Sequence, residues 1–133
     1  MSGTQNISIG KLFFEEGLPG FPDMQFFNIS KEEANAPFYQ MNSTEDETIG
    51  FWLIDPFVFF PEYQFVLPEY AKASLRLEDQ NPSVAVLNII TLREEGQITI
   101  NLKAPIVINR ENRMAKQVIL NEESYSLRHP LFQ

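Results

Sequence analysis

The chain predicts a mainly β fold, a single-domain antiparallel β-barrel-like structure with one or two short helices. Three observations carry that prediction. Several segments alternate apolar and polar residues at period two. One run, Val84–Leu92 (VAVLNIITL), is almost continuously apolar and rich in β-branched residues. Turn residues recur at roughly eight- to twelve-residue intervals between the candidate strands.

The clearest alternation is Gln97–Leu102 (QITINL). It sets Ile98, Ile100 and Leu102 on one face and Gln97, Thr99 and Asn101 on the other, as a strand with one wet face would. Ile7 and Ile9 alternate with Ser8 in the same way, and Gly10 is placed to shift the phase before Leu12–Phe14 as a bulge glycine does. Tyr63, Phe65 and Leu67 also stand at period two. Val84–Leu92 reads as a strand buried on both faces at the centre of the fold. Further short strands are expected at Gln25–Ile29, Phe38–Met41, Phe51–Ile54, Ile106–Ile108 and Gln117–Leu120.

Turn signals separate these segments: Pro19-Gly20, Pro22-Asp23, Asn42-Ser43, Asn81-Pro82, Glu95-Gly96 and Asn109–Asn112. One helix is expected over Pro68–Leu77 (PEYAKASLRL). Proline opens it at a first helical position, an acidic residue follows, and good helix formers come next. A second helical turn is expected at Ser30–Asn35, with Ser30 as N-cap and Glu33 three residues on.

The chain has 133 residues, which fits one domain spanning 1–133. Hydrophobic residues make up 44% and twelve are Phe, enough for a core without covalent staples. There is no cysteine, so disulfides, thiolate metal sites and cysteine nucleophiles are excluded. The N-terminal MSGTQNISIGKLFF lacks the basic-then-apolar pattern of a signal peptide, and no apolar stretch is long enough to span a bilayer. A cytoplasmic, membrane-free protein is expected. The formal charge of −8 argues against a phosphate backbone as direct partner and permits a basic one.

The usual equipment of catalysis is missing. His129 is the single histidine and sits in Arg128-His129-Pro130 with no orienting acid beside it. Glu45–Asp46–Glu47 lacks the alternating oxygen ligands and glycine of a calcium loop. Gly17-Leu18-Pro19-Gly20 is not followed by a phosphate-binding signature, and Pro19 removes a donor from it. No cofactor and no enzymatic activity are expected. The feature that invites a functional reading is Asp55–Tyr63 (DPFVFFPEY). It packs Phe57, Phe59, Phe60 and Tyr63 between two prolines, with acids at its flanks. The rings either fill the mouth of a barrel or stand out as anchors for a partner.

Several segments resemble one bacterial family, the flagellar assembly factor FliW. The matching pieces are Gly17–Phe21 (GLPGF), Asp55–Tyr63 (DPFVFFPEY), Val84–Thr91 (VAVLNIIT), Asn101–Asn109 (NLKAPIVIN), Lys116–Leu120 (KQVIL) and Tyr125–Leu131 (YSLRHPL). They follow the family's order along nearly the whole chain. The segment before GLPGF is shorter than in many members. The resemblance implies a small β-barrel-like fold and a non-enzymatic role. It implies binding to the RNA-binding regulator CsrA, whose repression of flagellin translation it would antagonise by an allosteric effect, and binding to flagellin. Export of flagellin would then release the factor to CsrA.

The expected partner-binding residues are Phe57, Phe59, Phe60, Glu62 and Tyr63, with Glu45, Asp46 and Glu47 as an electrostatic rim. Gly17, Pro19, Gly20 and Pro105 are expected to be structural. A monomer is expected. The competing readings are a small β-barrel that carries an apolar ligand and a hydrolase built on a carboxylate pair.

Overall fold

The computed structural model describes residues 7–31, 37–77 and 83–132. Its elements are β1 (Ile7–Phe13), β2 (Phe26–Lys31), β3 (Phe38–Ser43), β4 (Gly50–Ile54), α1 (Pro56–Phe59), α2 (Glu69–Ser74), β5 (Val84–Leu92), β6 (Ile98–Ile100), β7 (Ile106–Asn109), β8 (Ala115–Gln117) and β9 (His129–Pro130). A single 3₁₀ turn at Glu94–Gly96 joins β5 to β6. The fold is thus a mainly β, antiparallel sheet with two short helices.

β1 to β5 form an antiparallel meander. The second half of β5 pairs with β6, and its first half pairs with β7, so the chain through β6 and β7 runs back along β5. β8 extends the sheet from β7, and β9 closes onto β6. The curved sheet is barrel-like but not closed. β1 meets the start of β8 at one parallel bridge, Phe13 with Met114, where Phe13 N–H donates to Arg113 O at 3.0 Å.

β5 is the central strand, and its alternation explains its composition. Leu87, Ala85 and Ile89 point into the main core with Leu12, Phe14, Phe27, Ile29, Met41, Leu53, Ile106 and Ile108. The even positions face the other side of the sheet. Val86 and Ile90 pack in a second core under α1 and the C-terminal segment, and Val84 packs in a third under α2. A strand covered on both faces has no polar face to keep, so it reads as a continuous apolar run. Cover ends at the strand's C-terminus, where Thr91 and Leu92 are exposed.

Local chemistry accounts for the ends of the elements. The β1 ladder shifts register between Ser8 and Gly10, so Gly10 marks the expected bulge. α2 begins after Pro68, which is its N-cap and not its first helical residue. The carbonyl of its C-cap residue is met by side chains: Asn109 Nδ2 and Asn112 Nδ2 both donate to Leu75 O, at 2.9 and 3.2 Å. Ala71 and Leu75 then bury against Val107, Val118 and Leu120.

Three expected segments differ in the structure. Tyr63–Leu67 is extended but joins no ladder; its alternation arises because Tyr63 is buried and Phe65 and Leu67 half-buried while Gln64 and Val66 face outward. The last strand candidate, Gln117–Leu120, is displaced to Ala115–Gln117, and Val118 and Leu120 continue beyond it by donating to Pro105 O and Lys103 O. Ser30 and Lys31 belong to β2, so Ser30 is a strand residue; the rest of that expected turn, 32–35, lies outside the described residues.

The Pro19-Gly20 turn reverses the chain between β1 and β2. Leu18 and Phe21 exchange N–H···O bonds of 3.2 and 2.7 Å, and Gly20 has φ of +86°, the geometry of a type II turn with Pro at its second position. Gly17 is the tighter constraint. Its φ is +68° and an added Cβ would stand 2.5 Å from Pro22 O. Gly17→Ala is therefore expected to destabilise the fold by roughly 2 kcal/mol or more, and Gly20→Ala, which meets nothing within 4 Å, by about 1 kcal/mol. Urea unfolding of both variants checks the order.

Candidate functional site

Asp55 starts the aromatic stretch as an N-cap. Its Oδ1 accepts from Phe57 N–H at 3.0 Å, and Pro56 occupies the first helical position with its ring buried. A four-residue helix, α1, results. It lies across the outer face of β4, β5 and β6, not in the mouth of the barrel. The turn splits the four rings between core and solvent.

Tyr63 is core. It is 5% exposed, and its hydroxyl donates to Leu102 O at 2.6 Å and accepts from Asn88 Nδ2 at 3.3 Å. Tyr63, expected on a partner surface, is therefore buried as a residue, and it also lines the groove beside Phe57. Phe59 and Phe60 are half-buried. Phe59 packs on Phe38 at 6.4 Å and on Phe132 at 5.7 Å, and Phe60 stands edge-on to His129 at 5.1 Å. Phe57 is 43% exposed, with its ring centroid 6.0 Å from that of Tyr63. Glu62 is exposed. Of the expected anchors, Phe57 presents the most open ring.

Beside Phe57 runs an apolar groove of about 300 Å³. Its floor is Val84, Val86 and Val107, and Tyr63, Gln64, Phe65 and Leu67 form its walls. Of these, only Phe57 and Tyr63 were singled out from the sequence as partner-binding residues. The valines read simply as strand core. Only packing shows that the loop leaves part of the β5–β7 face uncovered. Val58 and Phe132, 59% exposed each, flank the same aromatic cluster.

The acidic run turns out to organise a loop as well as to carry charge. Ser43 Oγ accepts from the N–H groups of Glu45 and Asp46 at 3.0 and 3.1 Å. Asp46 Oδ1 accepts from Thr48 N–H and Oγ1–H at 2.9 and 2.6 Å, and these bonds hold its carboxyl below the usual range. Glu45 accepts from Gln25 N–H and Phe26 N–H at 3.0 and 2.8 Å, pinning the β3–β4 turn to the start of β2. Glu47 is exposed. The run lies on the β3–β4 turn and α1 follows β4, so the acids and the rings occupy separate loops at the two ends of β4.

A hydrogen-bond network, buried at Tyr63 and exposed at Gln64, holds the groove's wall. Burial pushes the Tyr63 hydroxyl from its ordinary 10.0 up to about 12, with Asn88 opposing the shift and Tyr125 adding to it. Tyr125 Oη–H donates to Gln64 O at 2.7 Å, and Gln64 N–H donates back to Tyr125 Oη at 3.2 Å. The 63–65 segment is thereby fixed at both faces. No helix of the structure's described residues is long and apolar enough to cross a membrane.

The arrangement of curved sheet, α1 and C-terminal segment has known counterparts. The FliW protein family model matches residues 2–131. The chain belongs to the FliW family. A protein from Desulfitobacterium hafniense (strain DSM 10664 / DCB-2) named flagellar assembly factor FliW is 42% identical over 98% of this chain and 86% of its own length. The protein of that name from Bacillus subtilis (strain 168) is 40% identical over 97% of this chain and 91% of its own. A crystal structure of the flagellar assembly factor FliW superposes with a TM-score of 0.84 at 36% identity, covering 92% of this chain and 86% of that one. FliW-family membership extends over the aromatic stretch, the groove and the C-terminal segment of this chain alike.

Tyr63→Phe is expected to cost roughly 1–3 kcal/mol at neutral pH, because Leu102 O loses its buried donor. The pH dependence follows from the raised value. The folded state favours the neutral phenol, so the contribution is fully present below pH 10.0 and lost as pH rises through about 12. The loss is on the order of 2 kcal/mol. Urea unfolding at a series of pH values should show that loss in the parent chain and not in Tyr63→Phe.

Proposed function

We propose that this FliW-family chain is a non-enzymatic, cytoplasmic flagellar assembly factor that binds flagellin and a CsrA-type RNA-binding regulator, coupling flagellin synthesis to assembly. The observation that carries the reading is the open Phe57 ring beside the groove floored by Val84, Val86 and Val107. A part-exposed aromatic next to an unfilled apolar depression is the usual form of a protein-binding anchor site. An amphipathic flagellin segment would lay apolar side chains into such a groove. The names borne by the D. hafniense and B. subtilis relatives support the flagellar setting.

The charge supports the second partner. A regulator that holds RNA must be basic, and a chain of formal charge −8 would be steered toward it. Glu47 and Glu62 are exposed and suited to steering, whereas Glu45 and Asp46 already spend their carboxylates on local N–H groups. Nucleic acid and membrane are not direct partners in this reading.

Binding assays with purified flagellin and a CsrA homologue, separately and in competition, test it. Both should bind; binding to neither overturns the assignment. Phe57→Ala should weaken at least one of the two complexes about tenfold with little loss of stability. Phe60→Ala should cost several kcal/mol of stability because that ring is packed against His129. Glu47→Lys combined with Glu62→Lys should slow association with the CsrA homologue several-fold at low salt and much less at high salt. Association rates that ignore salt and both charges would remove the steering argument.

A further inference from the structure

Among the described residues, one end of the main core joins apolar side chains to a basic rim. Where β1 and β5 begin and β7 ends, the inner face of the sheet lines a part-open cavity of about 320 Å³. Leu12, Ile29, Leu87 and Ile108, all buried, form its apolar depth. Two arginines, Arg110 and Arg113, line the same cavity and are exposed at its rim. The chain carries 18 acidic and 10 basic residues, so paired arginines on one apolar opening run against its overall balance.

The rim is built by local geometry. Arg113 sits in the turn between β7 and β8 with φ of +66°, and its guanidinium reaches back across β1. There Nη2 donates to Ile9 O at 2.8 Å, which uses one of five guanidinium N–H groups. A third cation lies close by: Lys31 Nζ stands 5.2 Å over the ring of Tyr39, and Tyr39 lines the cavity.

We propose that this cavity binds a medium-chain fatty carboxylate, with its alkyl chain among Leu12, Ile29, Leu87 and Ile108 and its carboxylate at Arg110 and Arg113. Each half of the ligand follows from its surroundings. The apolar depth gains from an alkyl chain, and its volume is at the small end of ligand pockets. The planar fork of arginine matches a carboxylate. A peptide would carry backbone N–H and C=O groups into a wall whose side chains are hydrocarbon, and leaving those groups unpaired is costly. The inference is independent of the partner-binding reading, which uses the opposite face of β5.

Titration calorimetry on the full chain, freed of carried-over lipid on a hydrophobic resin, tests the proposal with decanoate, decanol and an apolar peptide bearing a free C-terminal carboxylate. Decanoate should bind one per chain, and at least tenfold more tightly than decanol. Arg110→Gln with Arg113→Gln should remove that tenfold preference. Ala85→Leu, which adds bulk to the cavity wall, should abolish binding with the unfolding temperature preserved. Native mass spectrometry of the unmodified chain gives a reading that depends on no variant: a one-to-one decanoate adduct is expected. No adduct and no heat overturn the proposal. So do equal affinities for decanol and decanoate, undiminished binding to a folded Ala85→Leu chain, or a preference for the peptide.

Discussion

The structure depends on how one break in the sheet is repaired. Between β6 and β7 the chain leaves the β5 ladder at Asn101–Pro105, and carbonyl groups there lose their strand partners. Buried carbonyls must be met elsewhere. Asn88 Nδ2 donates to Asn101 O at 2.8 Å, and the Tyr63 hydroxyl donates to Leu102 O at 2.6 Å. Asn101 Oδ1 holds the break itself by accepting from Lys103 and Ala104 N–H. The repair has a cost: Asn88 Oδ1 is buried with no partner among the described residues.

That repair also makes the surface. Tyr63 can reach Leu102 only if the chain after α1 folds back over the outer face of β5. Doing so buries Tyr63, half-buries Phe59 and Phe60, and leaves Phe57 at the edge. The wall and the floor of the groove are therefore set by one hydrogen-bonded tyrosine. A polar group in the core, which adds little net stability of its own, here selects where the loop goes.

The two concavities lie on opposite faces of the same strand. Even positions of β5 floor the groove beside Phe57, and odd positions line the arginine-rimmed cavity. Alternation along one strand keeps their chemistries separate. One is aromatic and valine-floored with acidic residues in the neighbouring loop; the other is aliphatic with a basic rim.

Much was legible in the residues. Period-two segments, the Val84–Leu92 run and the Pro19-Gly20 turn determine a mainly β fold, because alternation and turn chemistry are local properties. The Tyr63–Leu67 alternation misled for a physical reason. Period two reports extended backbone with alternate burial, and that occurs against a packed face without any ladder. The family-like motifs determined kinship, since they match along nearly the whole length. Which of Phe57, Phe59, Phe60 and Tyr63 faces solvent was not contained in their spacing. It was decided by Asn88 and Leu102, 25 and 39 residues away along the chain from Tyr63. The same holds for Arg113, which reaches Ile9 across 104 residues of sequence. By itself the sequence determined most of the strands and the turns, because alternation and turn chemistry are local; the tertiary structure alone decided which side chains meet, because burial and long-range hydrogen bonds exist only once the sheet has curved.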